Sequence, residues 1–224
     1  MMVSFDFLTK PICLSNHKIN VLYIENQQLF RNTVSCFYNG SFDENNIVFS
    51  ENYTPVKFKN NICFISDIFS IDFSSSFLKK VYEDLSDYAN TYLQESTVSI
   101  KADIINFLEK LSQNYDYDFD FDDNLEITDL LKMQGFKPNM NSNNLMSRLL
   151  DYIIMTRRYS PVKCFVILNL HSYFSPTELE LFYRELTYQS IEILVIENKK
   201  VFDSIQNEIT YIVDEDMCEI IENQ

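Results

Sequence analysis

The stretch Tyr115-Asp116-Tyr117-Asp118-Phe119-Asp120-Phe121-Asp122-Asp123-Asn124-Leu125-Glu126 carries the densest chemistry in the chain. Aromatic and acidic residues alternate through Asp122, the period of a β-strand with rings on one side and carboxylates on the other. Crowded carboxylates repel one another, and a hard, oxygen-seeking cation such as calcium relieves that repulsion. The spacing Asp118-x-Asp120-x-Asp122 is close to an EF-hand loop, but Asp123 stands where that loop needs glycine and Asp129 where it uses glutamate. Two readings stand from spacing alone: a cation site, or a solvated strand face.

Charge is divided sharply between adjacent segments. Residues 103–129 hold nine acids and one base, Lys110. Residues 130–163 hold six bases (Lys132, Lys137, Arg148, Arg157, Arg158, Lys163) and one acid, Asp151. The whole chain carries −15, which by itself disfavours a polyanionic partner. The local excess of base allows one, and with no recognised base-reading motif any DNA contact falls on phosphates. The bland alternative is a solvated basic surface.

Other chemistries lack their parts. A phosphate-cradling loop needs glycines and a Lys-Ser/Thr pair. The turn after the apolar run Val21–Ile24 reads Glu25-Asn26-Gln27-Gln28, and the 224 residues contain only two glycines, Gly40 and Gly135. His171 follows an apolar strand, a place where α/β proteins position functional groups, yet no serine elbow or paired cysteine accompanies it. A structural or solvent-facing role is expected, and no catalytic residue is assigned. Five cysteines without CxxC or Cys/His spacing exclude a zinc site and fit a reducing compartment. With no signal-like start and no apolar run of membrane length, a soluble cytoplasmic protein is expected.

Four apolar runs read as buried strands: Val21–Ile24, Ile62–Ile65, Cys164–Leu168 and Ile191–Ile196. Helical patterns follow two of them, at Gln27–Tyr38 and from Ser175-Pro176-Thr177-Glu178 (N-cap, N1 proline, N3 glutamate) to Gln189. Such alternation predicts a largely parallel sheet covered on both faces. Between them the pattern is helical: two helices across 74–114 broken near 94–97, a short one at 127–134 stopped by Gly135, and one at 143–159. The organisation expected is a discontinuous α/β body, 1–73 with 160–224, interrupted by a helical insertion at 74–159.

Five ordered stretches resemble one family. They are Val21-Leu22-Tyr23-Ile24-Glu25-Asn26 with Phe30, Ser66-Asp67-Ile68-Phe69-Ser70-Ile71-Asp72-Phe73-Ser74-Ser75-Ser76, Ile127 to Lys137, Tyr159 to Glu197, and Tyr211-Ile212-Val213-Asp214-Glu215-Asp216. Together they are similar to the Csn2 family of type II-A CRISPR adaptation proteins. The resemblance implies an α/β, P-loop-like head domain with a mostly parallel sheet and no nucleotide motifs, plus an inserted helical leg domain. It further implies a homotetrameric ring, a dimer of dimers, that binds double-stranded DNA ends in a lysine-lined hole and needs calcium to hold its shape. Such a ring supports spacer acquisition alongside the Cas-one/Cas-two integrase and Cas-nine, without enzymatic activity or membrane attachment. Carried over by position, the calcium ligands are Asp120, Asp122, Asp123, Glu126 and Asp129, with Asp118 in addition. Lys132 and Lys137 head the candidates for the hole, followed by Lys57, Arg157, Arg158 and Lys163. Ser70 replaces the family's glycine in the 67–74 turn, and the acidic stretch is longer here than in the family. The competing classes are a degenerate P-loop-like nucleotide-binding enzyme and a protein–protein adaptor that never touches DNA.

Overall fold

The strand Ile19–Ile24 is buried at all six positions, so it needs cover on both faces. The computed structural model describes residues 1–14, 17–42, 47–117, 119–140, 144–201 and 205–223, and it supplies that cover. In chain order the strands are β1 (Met2–Ser4), β2 (Ile12–Cys13), β3 (Ile19–Ile24), β4 (Val48–Glu51), β5 (Thr54–Pro55), β6 (Ile62–Ile65), β7 (Cys164–Leu168), β8 (Glu192–Glu197), β9 (Glu208–Val213) and β10 (Glu219–Asn223). The helices are α1 (Gln27–Asn39), α2 (Phe58–Asn61), α3 (Ser75–Tyr92), α4 (Gln94–Ser112), α5 (Ile127–Met133), α6 (Leu145–Tyr159) and α7 (Pro176–Tyr188).

The main sheet runs β10-β9-β3-β8-β7-β6, parallel throughout except for the β9–β10 edge. Alternate residues serve opposite faces. Val21, Tyr23, Phe165, Ile167, Ile193 and Val195 meet Leu149 and Ile153 of α6 and Leu179, Phe182 and Leu186 of α7. Leu22, Ile24, Val166, Leu194 and Ile196 meet Cys36 and Phe37 of α1 and Val3 and Phe49 of a small antiparallel sheet, β2-β1-β4-β5. A central parallel strand, β3, turning directly into a helix, α1, gives an α/β head with a mostly parallel sheet. The small second sheet and the β9–β10 pairing had no counterpart in the sequence reading, because their strands are short or lack a long apolar run.

Contacts divide the chain into residues 1–72 with 141–224, and residues 73–140. The expected second boundary at 159/160 is therefore corrected. Helix α6 belongs to the α/β unit, with Leu149 and Ile153 both at 0% exposure in its core. The reason is topological: β6 and β7 are adjacent and parallel, so the chain between them must cross over and pack a helix on the sheet. Helix α6 is that crossover helix, and the helical insertion is spliced in ahead of it.

The second unit is helical. Ser74 caps α3 by accepting the Phe77 N–H at 3.2 Å, and Phe77, Val81, Tyr82 and Ser86 form its buried stripe. The break between α3 and α4 falls at Leu93 (φ −121°, ψ 31°). There the Thr97 hydroxyl donates to the Ala89 carbonyl at 3.1 Å, tying the two helices across the break. No helix among the described residues is long and apolar enough to cross a membrane.

The reassignment of α6 makes a stability prediction. Leu149→Ala or Ile153→Ala should cost about 2–5 kcal/mol in denaturant unfolding, the range for a fully buried large-to-small change. Ile100→Ala, at a position 48% exposed on α4, should stay within ~1 kcal/mol. Equal costs at the three positions would place α6 outside the core.

Candidate functional site

Helix α5 positions the two leading basic candidates. Gly135 follows it in the left-handed region (φ 59°). The Phe136 N–H returns to the Leu131 carbonyl at 2.9 Å and the Gly135 N–H to the Lys132 carbonyl at 3.0 Å. That paired closure is a Schellman stop, and glycine takes its αL position without strain. Lys132 lies in the last turn of α5, its ammonium 3.0 Å from Asp129, with both side chains more than half exposed. Lys137 is exposed two residues beyond the stop. An exposed pair of this kind is weak and exchanges readily for another anion.

The remaining basic candidates lie in the α/β unit, and three of them are more committed. Lys163 is paired with Glu51, and its hydrogen bond and charge hold that carboxyl below the usual carboxylate range. Arg157 donates to the Val162 carbonyl at 3.4 Å. Arg158 sits over the Tyr159 ring at 5.2 Å. Lys57 is exposed at the start of α2.

The acidic stretch is not a strand, contrary to the expectation from its alternation. Residues 119–126 are irregular, and among the described residues its unit contains no strand whose backbone could pair with them. The rings instead cluster on one another: Tyr115 and Phe119 at 5.3 Å, Tyr117 and Phe119 at 5.7 Å. Leu108 and Leu111 of α4 share a small cleft with them. Of the proposed ligands, Asp120, Asp122, Asp123, Glu126 and Asp129 are all exposed, and Asp118 lies outside the described residues. Asp122 accepts the Asn124 N–H at 2.9 Å. Glu126 lies 4.0 Å from Lys101, and Asp129 is taken by Lys132. Among the described residues, no three acidic, histidine or cysteine side chains converge as a metal site. The carboxylates thus share a segment but not a centre, and binding a cation there requires the segment to rearrange.

The turn after β3 does not offer a phosphate cradle. Asn26 caps α1 by accepting the Leu29 N–H at 3.0 Å and donates its side-chain N–H to the Glu215 carbonyl at 3.1 Å. The helix start is thereby occupied by the chain itself. The depression beside it, about 480 Å³, is lined by Glu25 and Glu215 with a single cation, Lys199. Two carboxylates facing the place of a phosphate oppose its binding.

His171 proves to be interior. Its Nδ1 is 2.9 Å from the Tyr23 hydroxyl, and its Nε2 is 2.7 Å from the Tyr183 hydroxyl and 3.1 Å from Glu208. Its backbone N–H donates to Glu197 at 2.7 Å. Burial, reinforced by the carboxylates, pushes both tyrosine hydroxyls far above their ordinary range. Burial raises the Glu197 carboxyl from 4.5 to about 7, against the opposing pull of His171. This cluster links β3, β8, β9, α7 and the turn at Leu170–Ser172. The apolar runs hid it from sequence reading, where the one available signal was a glutamate ending the β8 run.

The head fold and the helical insertion define a class: an α/β protein with a mostly parallel sheet, carrying a helical unit between β6 and α6. The family model described as CRISPR-associated protein (Cas_Csn2) matches residues 38–217, most of the chain. A relative, CRISPR-associated protein Csn2 of Enterococcus faecalis, is 22% identical over 226 residues, covering 96% of each chain. The crystal structure of Stu0660 of Streptococcus thermophilus matches with a TM-score of 0.56 and 15% identity, over 99% of this chain and 76% of that one. The structure of cbiO1 from Clostridium perfringens, part of the ABC transporter complex cbiONQ, gives a TM-score of 0.46 and 12% identity over 92% and 77%. The chain belongs to the Csn2 family of CRISPR-associated proteins. That membership supports a role in CRISPR adaptation.

The buried Glu197 generates a pH prediction. A carboxyl raised on folding stabilises the fold fully below its unfolded value, and that contribution is lost as pH climbs through about 7. Glu197→Gln keeps the acceptor for the His171 N–H and removes the charge. The variant should match the wild type near pH 5 and exceed it by ~2 kcal/mol at pH 8. Melts across that range check it, and equal stability at pH 8 would contradict a strained buried carboxylate.

Proposed function

We propose that this protein is a non-enzymatic, calcium-dependent binder of double-stranded DNA ends, assembled as a homotetrameric ring, that supports spacer acquisition in type II-A CRISPR–Cas immunity. Its partners on this reading are DNA ends, its own copies, the Cas-one/Cas-two integrase and Cas-nine. The observation that carries the reading is the abrupt change of charge along the chain: one base among ten charges over 103–129, then six among seven over 130–163, a stretch that begins in the helical unit with Lys132 and Lys137 and ends in the α/β unit. In a chain of net charge −15, a basic segment presenting Lys132 and Lys137 to solvent is where a polyanion is held. Contacts of lysines with phosphates position a duplex without reading its sequence.

Calcium has a distinct task on this reading. The carboxylates of 120–126 lie along one irregular segment and Asp129 follows in the first turn of α5, and a hard cation draws several of them together, fixing the segment next to α5. Binding to the folded state alone stabilises by mass action, ~2.7 kcal/mol at a hundredfold excess over Kd. The melting temperature should therefore rise with calcium and return with EGTA. Changing Asp122, Asp123 and Glu126 together to alanine should abolish that rise, and a full rise in the triple variant would move the site elsewhere.

DNA binding should be independent of sequence and steeply dependent on salt, with log affinity falling by about 0.9 per phosphate neutralised for each unit of log salt. Lys132→Ala or Lys137→Ala should weaken all sequences alike and flatten that slope. A ring threaded by duplex prefers linear DNA over a covalently closed circle, so competition between the two forms of one plasmid, with calcium present, tests the ring separately. Equal affinity for both forms contradicts it. Two other classes have their own signatures. Stoichiometric ATP or GTP binding in calorimetry, lost on changing Glu25–Gln28, marks a nucleotide-binding enzyme. Absence of any DNA binding in calcium marks a protein–protein adaptor.

A further inference from the structure

The α/β unit carries a second feature, of which the duplex reading draws on Lys57 alone. Between the end of α1, the β4–β5 hairpin and α2 lies an open cleft of about 770 Å³. Aromatic rings form its wall. Phe42 and Phe58 lie 4.2 Å apart at 32°, both partly exposed, and Tyr38 beside them is 69% exposed. Phe37 and Phe49 back these rings from the core. The charged side chains lining the cleft, among the described residues, are Lys57 and Lys59. Both are exposed, and neither has a carboxylate among the ion pairs of the described residues.

Rings that are solvent-accessible on a pocket wall are costly unless something flat covers them, and a nucleobase offers a π-face of matching size. The ammonium groups of two lysines lining the same cleft supply the complement for an attached phosphate. The volume lies within the range of small-molecule sites and exceeds what water alone needs. Two lysines without an ion-pair partner among the described residues, lining one cleft with aromatic rings, select an anion that also stacks. We propose that this cleft binds one unpaired nucleotide, its base against Tyr38, Phe42 and Phe58 and its phosphate on Lys57 and Lys59. The cleft is built by residues of the α/β unit alone, and the proposal does not depend on the ring.

The occupant's chemistry is a base joined to a phosphate, which a free nucleotide or the unpaired end of a strand both provide. Calorimetric titration with thymidine monophosphate in one arm, and with a 5′-phosphorylated single-stranded hexathymidylate in the other, separates the two sources. Saturation in either arm is expected. Tyr38→Ala should weaken it at least about fivefold, the size of one stacking contact, and Lys59→Glu should weaken it by a similar factor. Both residues are exposed, so neither variant threatens the fold. Binding of a blunt-ended duplex without single-stranded overhangs should be unchanged in these two variants and weakened by Lys132→Ala. A failure of the duplex reading therefore leaves a different signature from a failure of this one. No saturation in either arm overturns the proposal. So does saturation that both variants leave intact, or saturation only by an acidic aromatic peptide such as Asp-Tyr-Asp-Phe.

Discussion

A parallel sheet has no face to give to water, and this requirement organises the whole chain. The strands β3, β7 and β8 are apolar on both sides, so helices and a second small sheet must close over each face. Each parallel pairing also demands a crossover long enough to reach back over the sheet. Between β6 and β7 that crossover is made by α6, and this leaves one place where extra chain can leave without uncovering the core. The helical unit of residues 73–140 departs there. Freed from the need to bury a continuous surface, it is the part that can concentrate charge.

The same requirement explains the buried polar cluster. Glu197 at the end of β8 and Glu208 at the start of β9 are enclosed by the layers that seal the sheet. Each then depends on specific partners, the His171 backbone for one and the His171 ring for the other. One oxygen of the Glu197 carboxylate lacks a hydrogen-bond partner among the described residues, and burial pushes that carboxyl toward protonation. Such groups tie five elements to one imidazole, and they confer specificity of packing at some expense of stability. The position resembles a functional one in α/β proteins, yet its burial turns it into a structural joint.

Much of this was legible from residue patterns, for identifiable reasons. Val21–Ile24 and Cys164–Leu168 are continuous apolar runs, which few other structures accommodate. Ser175-Pro176-Thr177-Glu178 forms the capping box that its letters describe, with Glu178 accepting from the Ser175 N–H at 2.8 Å. Gly135 stops α5 as its position suggests. The reading failed where long-range demands override local pattern. Helix α6 looks like its helical neighbours until β6 and β7 are seen to be adjacent. The Tyr115–Asp122 alternation has the period of a strand but no neighbouring strand to pair with. Tyr23, Tyr183 and Glu208 meet His171 only because strands distant in sequence lie side by side. The acidic segment was conspicuous by its charge, but charge density says nothing of where individual carboxylates point.

The functional account rests on the division of labour between a sealed head and a charged insertion whose carboxylates act when a cation gathers them. Light scattering coupled to size separation, first in calcium and then in excess EGTA, addresses it most directly. The account predicts a particle of about four times the 26.6 kDa chain in calcium, with a changed mass or hydrodynamic radius once calcium is withdrawn. A single-chain mass in calcium, or identical mass and radius in both conditions, would contradict it.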